Sequence, residues 1–387
     1  MQIRLAVVAS HPVQYYSPLY RELAKRCELT VLYGHAVTGK DQARAGFGTE
    51  FEWDGGIDEG FSFEYLENRS SDPGVHHFAG IDTPGIGKTF DERQFDVVLI
   101  QGWLFKSFIQ ALFAARRRKI PVLVRGDSHL ETGRPGWKTL VKRLVYPAFL
   151  RSYTAALYVG ARSRAYWRHY GYPDRRLFWS PHCVDNEWFA DEAGRSDREF
   201  FRQDHGVAPG TKLLLFVGKL IDLKRPLDLI QAAAQMRSDG RDTAVMIAGS
   251  GPLLSDVRDA AEHLGVPLVD LGFRNQSEMP AVYAAADLMV MTSDSETWGL
   301  SANEALACGT PILLSDAIGA APDLVSDGAV GAQFRCGDVD DLAATASRLL
   351  ADPPEPEALA ARIDRYSVER AADGIMEAAA FAMAPTR

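Results

Sequence analysis

Two apolar runs, residues 286–291 and 311–314, flank a segment with room for a loop and one short helix. Runs apolar on both faces suit strands buried on both sides, and two parallel strands need a crossover of about a dozen residues or more between them. Inside the segment, Glu304, Ala305, Leu306 and Ala307 are good helix formers. Gly309-Thr310-Pro311 is a helix stop. The segment therefore reads as strand, loop, helix, strand, which confines this part of the chain to a parallel α/β sheet. The helix start falls near Gly299-Leu300. A helix N-terminus offers free N–H groups and partial positive charge, which suit an anion such as phosphate. Gly299 removes a side chain where that anion would approach the backbone. Glu296 and Glu304 bracket the place, one in the loop and the other about two turns inside the helix. On chemistry alone, an ordinary crossover with one solvated and one buried glutamate explains the segment equally well.

The same alternation runs through the chain. Strands are expected at 3–9, 29–33, 95–100, 122–124 and 155–159, with helices at 18–24 and 108–113. They restart at 213–217, 245–248, 268–271, 288–291 and 312–314. Residues 34–94 are Gly-rich and less regular, with short aromatic alternations at Phe51, Trp53, Phe61, Phe63 and Tyr65. Around 72–87 they read as a long loop, the kind that often carries function. A chain of 387 residues exceeds one ordinary core and suits two domains. The expected division is 1–187, then 188–366, with a polar stretch at 190–198 marking the boundary and a last helix from 368 to 382. The fold class is α/β, two doubly wound Rossmann-like domains.

Composition excludes several classes. No apolar run approaches the ~18 residues of a spanning helix, and the opening residues 1–9 read as a strand rather than a secretory leader. Cys27, Cys183, Cys308 and Cys336 are far apart, which argues against a zinc site or disulfide framework and fits a reducing cytoplasm. The net charge of −9 hides a split, since residues 1–190 carry 25 Lys and Arg against 20 Asp and Glu. From 106 to 176 there are 16 basic residues and only Asp127, Glu131 and Asp174 as acids. Such a field suits anionic lipid, an anionic acceptor or nucleic acid. The helix-period stretch 137–146 reads either as a helix resting on a membrane or as a core-facing helix with a basic outer face. An acidic total and the lack of a recognised motif argue against nucleic acid.

Further groups stand at strand ends. Gly218-Lys219 follows one strand and Lys224 comes five residues later, so both amines can reach a diphosphate there. A solvated turn is the plainer explanation of the two lysines taken by themselves. Gly249-Ser250-Gly251-Pro252 follows the next strand, where its glycines permit close approach of a ligand. Phe273-Arg274 follows a third. In the first half, Ser10-His11-Pro12-Val13-Gln14-Tyr15-Tyr16 follows strand one without the glycine fingerprint of a dinucleotide site. His11 reads equally as a ligand contact or a satisfied turn histidine. Gln101-Gly102-Trp103 and Arg125-Gly126-Asp127-Ser128-His129 end two more strands.

The glutamate pair, with Gly299-Leu300, Ala305, Ala307-Cys308-Gly309 and Pro311 around it, resembles the E-x7-E signature of retaining glycosyltransferases of the large family 4. Their fold is GT-B, two Rossmann-like domains facing a cleft. The resemblance extends over nearly the whole chain, and the start resembles a subgroup with H-P-x-Q-Y. It implies that Glu296 contacts the donor sugar, Glu304 holds the ribose, and the diphosphate lies at Thr297, Trp298, Gly299 and Leu300. It implies that Lys219 and Lys224 neutralise the diphosphate in place of a metal, with Gly218, Gly249, Gly251, Phe273 and Arg274 around the nucleotide. His11 and Gln14 fall at the first-domain side. A catalytic-site histidine maps best on His129, with Asp127 as rival. The implied activity is metal-independent, retaining transfer of a hexosyl or N-acetylhexosaminyl group. The donor is a nucleotide-diphospho-sugar, UDP-sugar by default, used as co-substrate with no cofactor. The acceptor is a carbohydrate, a lipid-linked intermediate or a small metabolite. The implied place is the cytoplasm, with peripheral contact to an anionic membrane through 106–176, and the last helix packs back on the first domain. A sugar-nucleotide epimerase, a phosphorylase or a non-catalytic sugar-nucleotide-binding subunit are the alternatives.

Overall fold

The computed structural model describes residues 2–36, 54, 56–131 and 136–384, the side chains of 136–141 aside. Contacts divide these residues into two units, one of 2–36, 56–183 and 368–384, the other of 184–367 with Asp54. Residues 190–195, expected to mark a polar boundary, lie in the helix Asn186–Arg195 of the second unit. Asp185 caps that helix by accepting the Trp188 N–H at 3.1 Å, which explains why a polar sequence is ordered there.

The first unit is built on seven parallel strands: β1 Arg4–Ala9, β2 Glu28–Tyr33, β3 Ser62–Tyr65, β4 Val97–Ile100, β5 Val122–Gly126, β6 Ala155–Tyr158 and β7 Leu177–Trp179. Their order is β3-β2-β1-β4-β5-β6-β7, and Val7 stands between Val31 and Leu99. Alternate residues of β1 feed opposite faces. Leu5, Val7 and Ala9 pack with Leu19, Tyr20, Leu23, Ala371 and Ile375, while Ala6 and Val8 pack with Phe90, Phe108 and Leu112. Both faces are thus covered, which is why β1 and β4 read as unbroken apolar runs.

The helix Val368–Met383 belongs to this unit although the whole second unit precedes it in sequence. Its Ala371, Ala372, Gly374, Ile375, Ala378 and Ala379 are buried. A side chain at Gly374 would put its first carbon 1.8 Å from the Trp179 carbonyl oxygen, so only glycine allows this approach. Arg26 pairs with Asp373 at 2.5 Å, and the Ser180 hydroxyl donates to the Ala371 carbonyl at 2.9 Å.

The second unit holds six parallel strands: β8 Lys212–Val217, β9 Thr243–Ala248, β10 Leu268–Asp270, β11 Leu288–Met291, β12 Ile312–Ser315 and β13 Gly331–Phe334. Their order is β10-β9-β8-β11-β12-β13. Two edge strands, β3 and β13, and the helix Ile86–Arg93 were not expected. Edge strands need no apolar run, since β3 is largely solvated and β13 presents Gln333 to water. In each unit the connections leave the sheet in opposite directions at one pair of neighbours, β1/β4 and β8/β11. Ligands of open α/β sheets bind beyond the carboxyl ends of such a pair. No helix among the described residues is long and apolar enough to cross a membrane.

Candidate active site

The second unit has a cavity of about 550 Å³ beyond the ends of β8 and β11. Gly218, Lys219, Lys224, Met291, Glu296, Thr297, Gly299 and Leu300 are among the residues that line it. The structure therefore brings together residues that lie far apart in sequence. Lys224 sits at the end of a short 3-10 turn, Asp222–Lys224, and Arg225 after it takes the left-handed conformation with φ +48°. The Thr292 hydroxyl donates to the Lys224 carbonyl at 2.7 Å, and Asp294 N–H to the Leu223 carbonyl at 3.0 Å. These bonds fasten the lysine loop to the loop after β11.

Lys224 forms a direct ion pair with Glu296, both side chains about one-fifth exposed. Burial holds the Lys219 ammonium below the ordinary lysine range, the Lys224 charge adds to the effect, and Glu296 opposes it. Two ammonium groups, one carboxylate and the helix Leu300–Ala307 leave a net positive cavity. Glu296 is held by its backbone, because Gly319 N–H donates to its carbonyl at 2.9 Å. Any side chain at Gly319 would meet the Thr297 carbonyl at 1.9 Å, so this glycine permits the loop to close. Gly299 caps the helix with φ +101°, and its missing side chain would lie 2.8 Å from Met291 Cε.

Other residues take different places from those expected. Glu304 is the fifth residue of its helix, little more than one turn in, and it lies outside the cavity lining. Tyr283 donates its hydroxyl to one carboxylate oxygen at 2.6 Å. Burial pushes this carboxyl up to about 7, with the Tyr283 bond opposing the shift. Trp298 is 3% exposed, donates to Asn303 Oδ1 at 2.9 Å and lies at a tilt against the Tyr366 ring, so it packs beneath the loop instead of lining the cavity. Gly249 and Gly251 face backbone, where a side chain would meet the Gly218 carbonyl at 1.9 Å and the Leu220 carbonyl at 2.5 Å. Their smallness lets the loops after β8 and β9 interlock. Phe273 and Arg274 leave β10, and Arg274 pairs with Glu278 at 2.7 Å, away from the cavity lining.

The first unit has a smaller cavity beyond β1, β4 and β5, lined by Tyr16, Gln101, Trp103, Arg125, Asp127 and His182 among others. His11, hydrogen-bonded to the Ser10 hydroxyl at 2.9 Å, and Gln14 lie just outside this lining. His129 is 4% exposed and also lies outside, with its Nδ1 4.0 Å from Glu131. β5 runs two residues further than expected, so Asp127 and Ser128 reach the cavity in its place. The histidine that does line it is His182, from the far end of β7, with Nε2 3.7 Å from Asp127 Oδ2. Burial lowers the His182 pKa, Asp127 opposes this, and Arg125 adds to it, so the ring stays neutral near pH 7. Sequence reading missed His182; its signal was Ser180-Pro181-His182 directly after a short strand. Arg125 is 3% exposed and is held by the Ser180 and Pro181 carbonyls, at 2.6 Å for the latter. It is therefore no part of a surface field, and Lys106, Arg118, Arg162 and Arg168 of the same stretch are ion-paired.

Residues 197–366 match the family model described as glycosyl transferases group 1. The chain is 37% identical over 166 residues to a D-inositol 3-phosphate glycosyltransferase of Nocardia farcinica, covering 40% of this chain and 36% of that protein. The chain spans less than half the length of such curated relatives, from 36% for that of Nocardia farcinica to 48% for that of Geodermatophilus obscurus. A glycosyltransferase from Rickettsia africae superposes with a TM-score of 0.74 at 13% identity, over 100% of both chains. The Anabaena HepE protein, solved with UDP and glucose, superposes with a TM-score of 0.69 at 17% identity, over 97% of this chain and 98% of that one. The fold is thus two parallel α/β units of Rossmann-like character, with GT-B glycosyltransferases as structural neighbours.

Proposed function

We propose that this chain is a metal-independent, retaining glycosyltransferase that takes its sugar from a nucleotide-diphospho-sugar, with UDP as the favoured carrier. The observation that carries the proposal is one cavity at a sheet switch point holding Lys219, Lys224, Glu296 and the Gly299-Leu300 helix start. A diphosphate brings about two negative charges, and this cavity offers two ammonium groups and a helix N-terminus against a single carboxylate. On donor binding, Lys224 exchanges its Glu296 partner for phosphate oxygens and frees the carboxylate to accept sugar hydroxyls. Positive charge then stabilises the leaving diphosphate as the anomeric C–O bond breaks. The acceptor oxygen bonds the anomeric carbon from the same face, and its proton passes to the departing phosphate oxygen. The family match, the UDP-bound fold neighbour and the 37%-identical relative support this reading.

The acceptor is assigned to the first unit's cavity, where the neutral His182 and Asp127 can orient a hydroxyl. The relatives named for D-inositol 3-phosphate favour a small hydroxylated metabolite. His182 replaces His129 as the first unit's candidate. A thermal-shift screen against UDP-, GDP- and ADP-sugars tests the proposal, followed by an assay of donor hydrolysis and transfer with and without chelator. UDP-sugar should raise the melting temperature and turnover should survive the chelator. No shift with any nucleotide sugar would overturn the assignment.

A further inference from the structure

The segment 68–82 after β3 is a fastened loop that neither cavity uses. Asn68 holds both of its arms, accepting the Ser70 and Asp82 N–H groups at 3.0 and 2.9 Å and donating to the Gly80 carbonyl at 2.9 Å. Gly74 N–H donates to the Gly80 carbonyl at 3.1 Å and closes the tip. Asp82 is in turn anchored by Lys106 at 2.6 Å and Gln110 at 2.7 Å. The tip presents Asp72, His76 and His77, whose ligand atoms all lie within 4.8 Å of one another.

We propose that Asp72, His76 and His77 bind one divalent transition-metal ion, Zn²⁺ foremost. His76 Nε2 and His77 Nε2 stand 3.2 and 3.3 Å from the same Asp72 oxygen. Bonds of ~2.0–2.1 Å around a tetrahedral ion give ligand separations of about 3.3 Å, so two of the three edges are already set. The third edge closes by rotation of the exposed His76 ring and the half-buried His77 ring, whose centroids are 4.6 Å apart, with His77 Nε2 leaving the Asp72 carbonyl that it meets at 3.0 Å. Gly74 makes room for this arrangement, since a side chain there would lie 2.6 Å from His76 Nδ1. Two imidazoles and a carboxylate suit Zn²⁺, Co²⁺ or Ni²⁺ and do not suit Mg²⁺ or Ca²⁺, which prefer oxygen donors throughout. Three protein ligands leave the fourth position to water, and the exposed Asp72 and His76 give the ion access past the half-buried His77.

The test is calorimetric titration of ZnCl₂ into the full chain, freed of any affinity tag and stripped with chelator, against the His76→Ala/His77→Ala double variant and Asp72→Asn. One ion per wild-type chain is expected, with affinity reduced at least about tenfold in each variant and no displacement by excess Mg²⁺. Co²⁺ should give a visible absorption band in wild type that the double variant loses. Equal Zn²⁺ affinity in wild type and double variant, or none in wild type, would overturn the site. The response to UDP should be the same in all of these chains, which keeps this result separate from the donor assignment.

Discussion

Burial lifts the Glu304 carboxyl to about 7 and the Tyr283 hydroxyl only partly offsets it. A carboxyl whose folded-state pKa exceeds its unfolded value contributes stability below ~4.5, and that contribution is lost as pH rises through about 7. Were a ribose hydroxyl to donate to the ionised form, as the family resemblance implies, the shift would reverse and nucleotide binding would release a proton. UDP affinity should therefore climb from pH 5.5 and level off above about 7, and Glu304→Gln should flatten the profile. Calorimetry in buffers of different ionisation heat reads both the affinity and the proton. Lys224→Ala and Glu296→Ala each should lower transfer by about 100-fold or more, the scale of losing one charge-stabilising group. Their melting temperatures should stay close to wild type, because the pair is partly solvated and contributes little to stability. Near-normal turnover in both variants would remove them from the chemistry. His182→Ala should cost more activity than His129→Ala; the opposite ranking would return the role to His129.

At the scale of elements, Gly299 is the joint between loop and helix. Gly299→Ala forces an alanine into φ +101° beside Met291 Cε. It should cost about 1–3 kcal/mol, read as a lower midpoint in urea, and weaken UDP binding. The strand-loop-helix-strand unit was legible because buried parallel strands are apolar throughout and Gly309-Thr310-Pro311 can only end a helix. The glycines of the Gly249 loop were legible as glycines, whereas the carbonyls that press on them come from Gly218 and Leu220, which no local pattern announces. Trp298 was ambiguous for the same reason, since its partner Tyr366 is remote in sequence. His182 reaches Asp127 only through the order of β5, β6 and β7 in the sheet. Midway along the helix Gly136–Leu150, Arg143, Leu144 and Val145 are exposed, Leu144 by 75%. Co-sedimentation with anionic vesicles at low salt should show whether these side chains meet lipid; no binding there would exclude a membrane role for this helix.

At the scale of the molecule, the chain leaves its first unit at Cys183 and returns to it at Val368. Gly374→Val should wedge the last helix away from Trp179 and raise protease cleavage within residues 2–183 while fragments of the second unit persist. Unchanged cleavage would mean that the helix is dispensable to that core. This topology also sets an order of events during synthesis. The ribosome must finish all of residues 184–367 before it releases the helix that covers Leu19, Tyr20 and Leu23. At ~5–20 residues per second that is a delay of roughly 10–40 s. The unit made first is thus completed last, and its uncovered apolar face is what a chaperone would hold in the meantime.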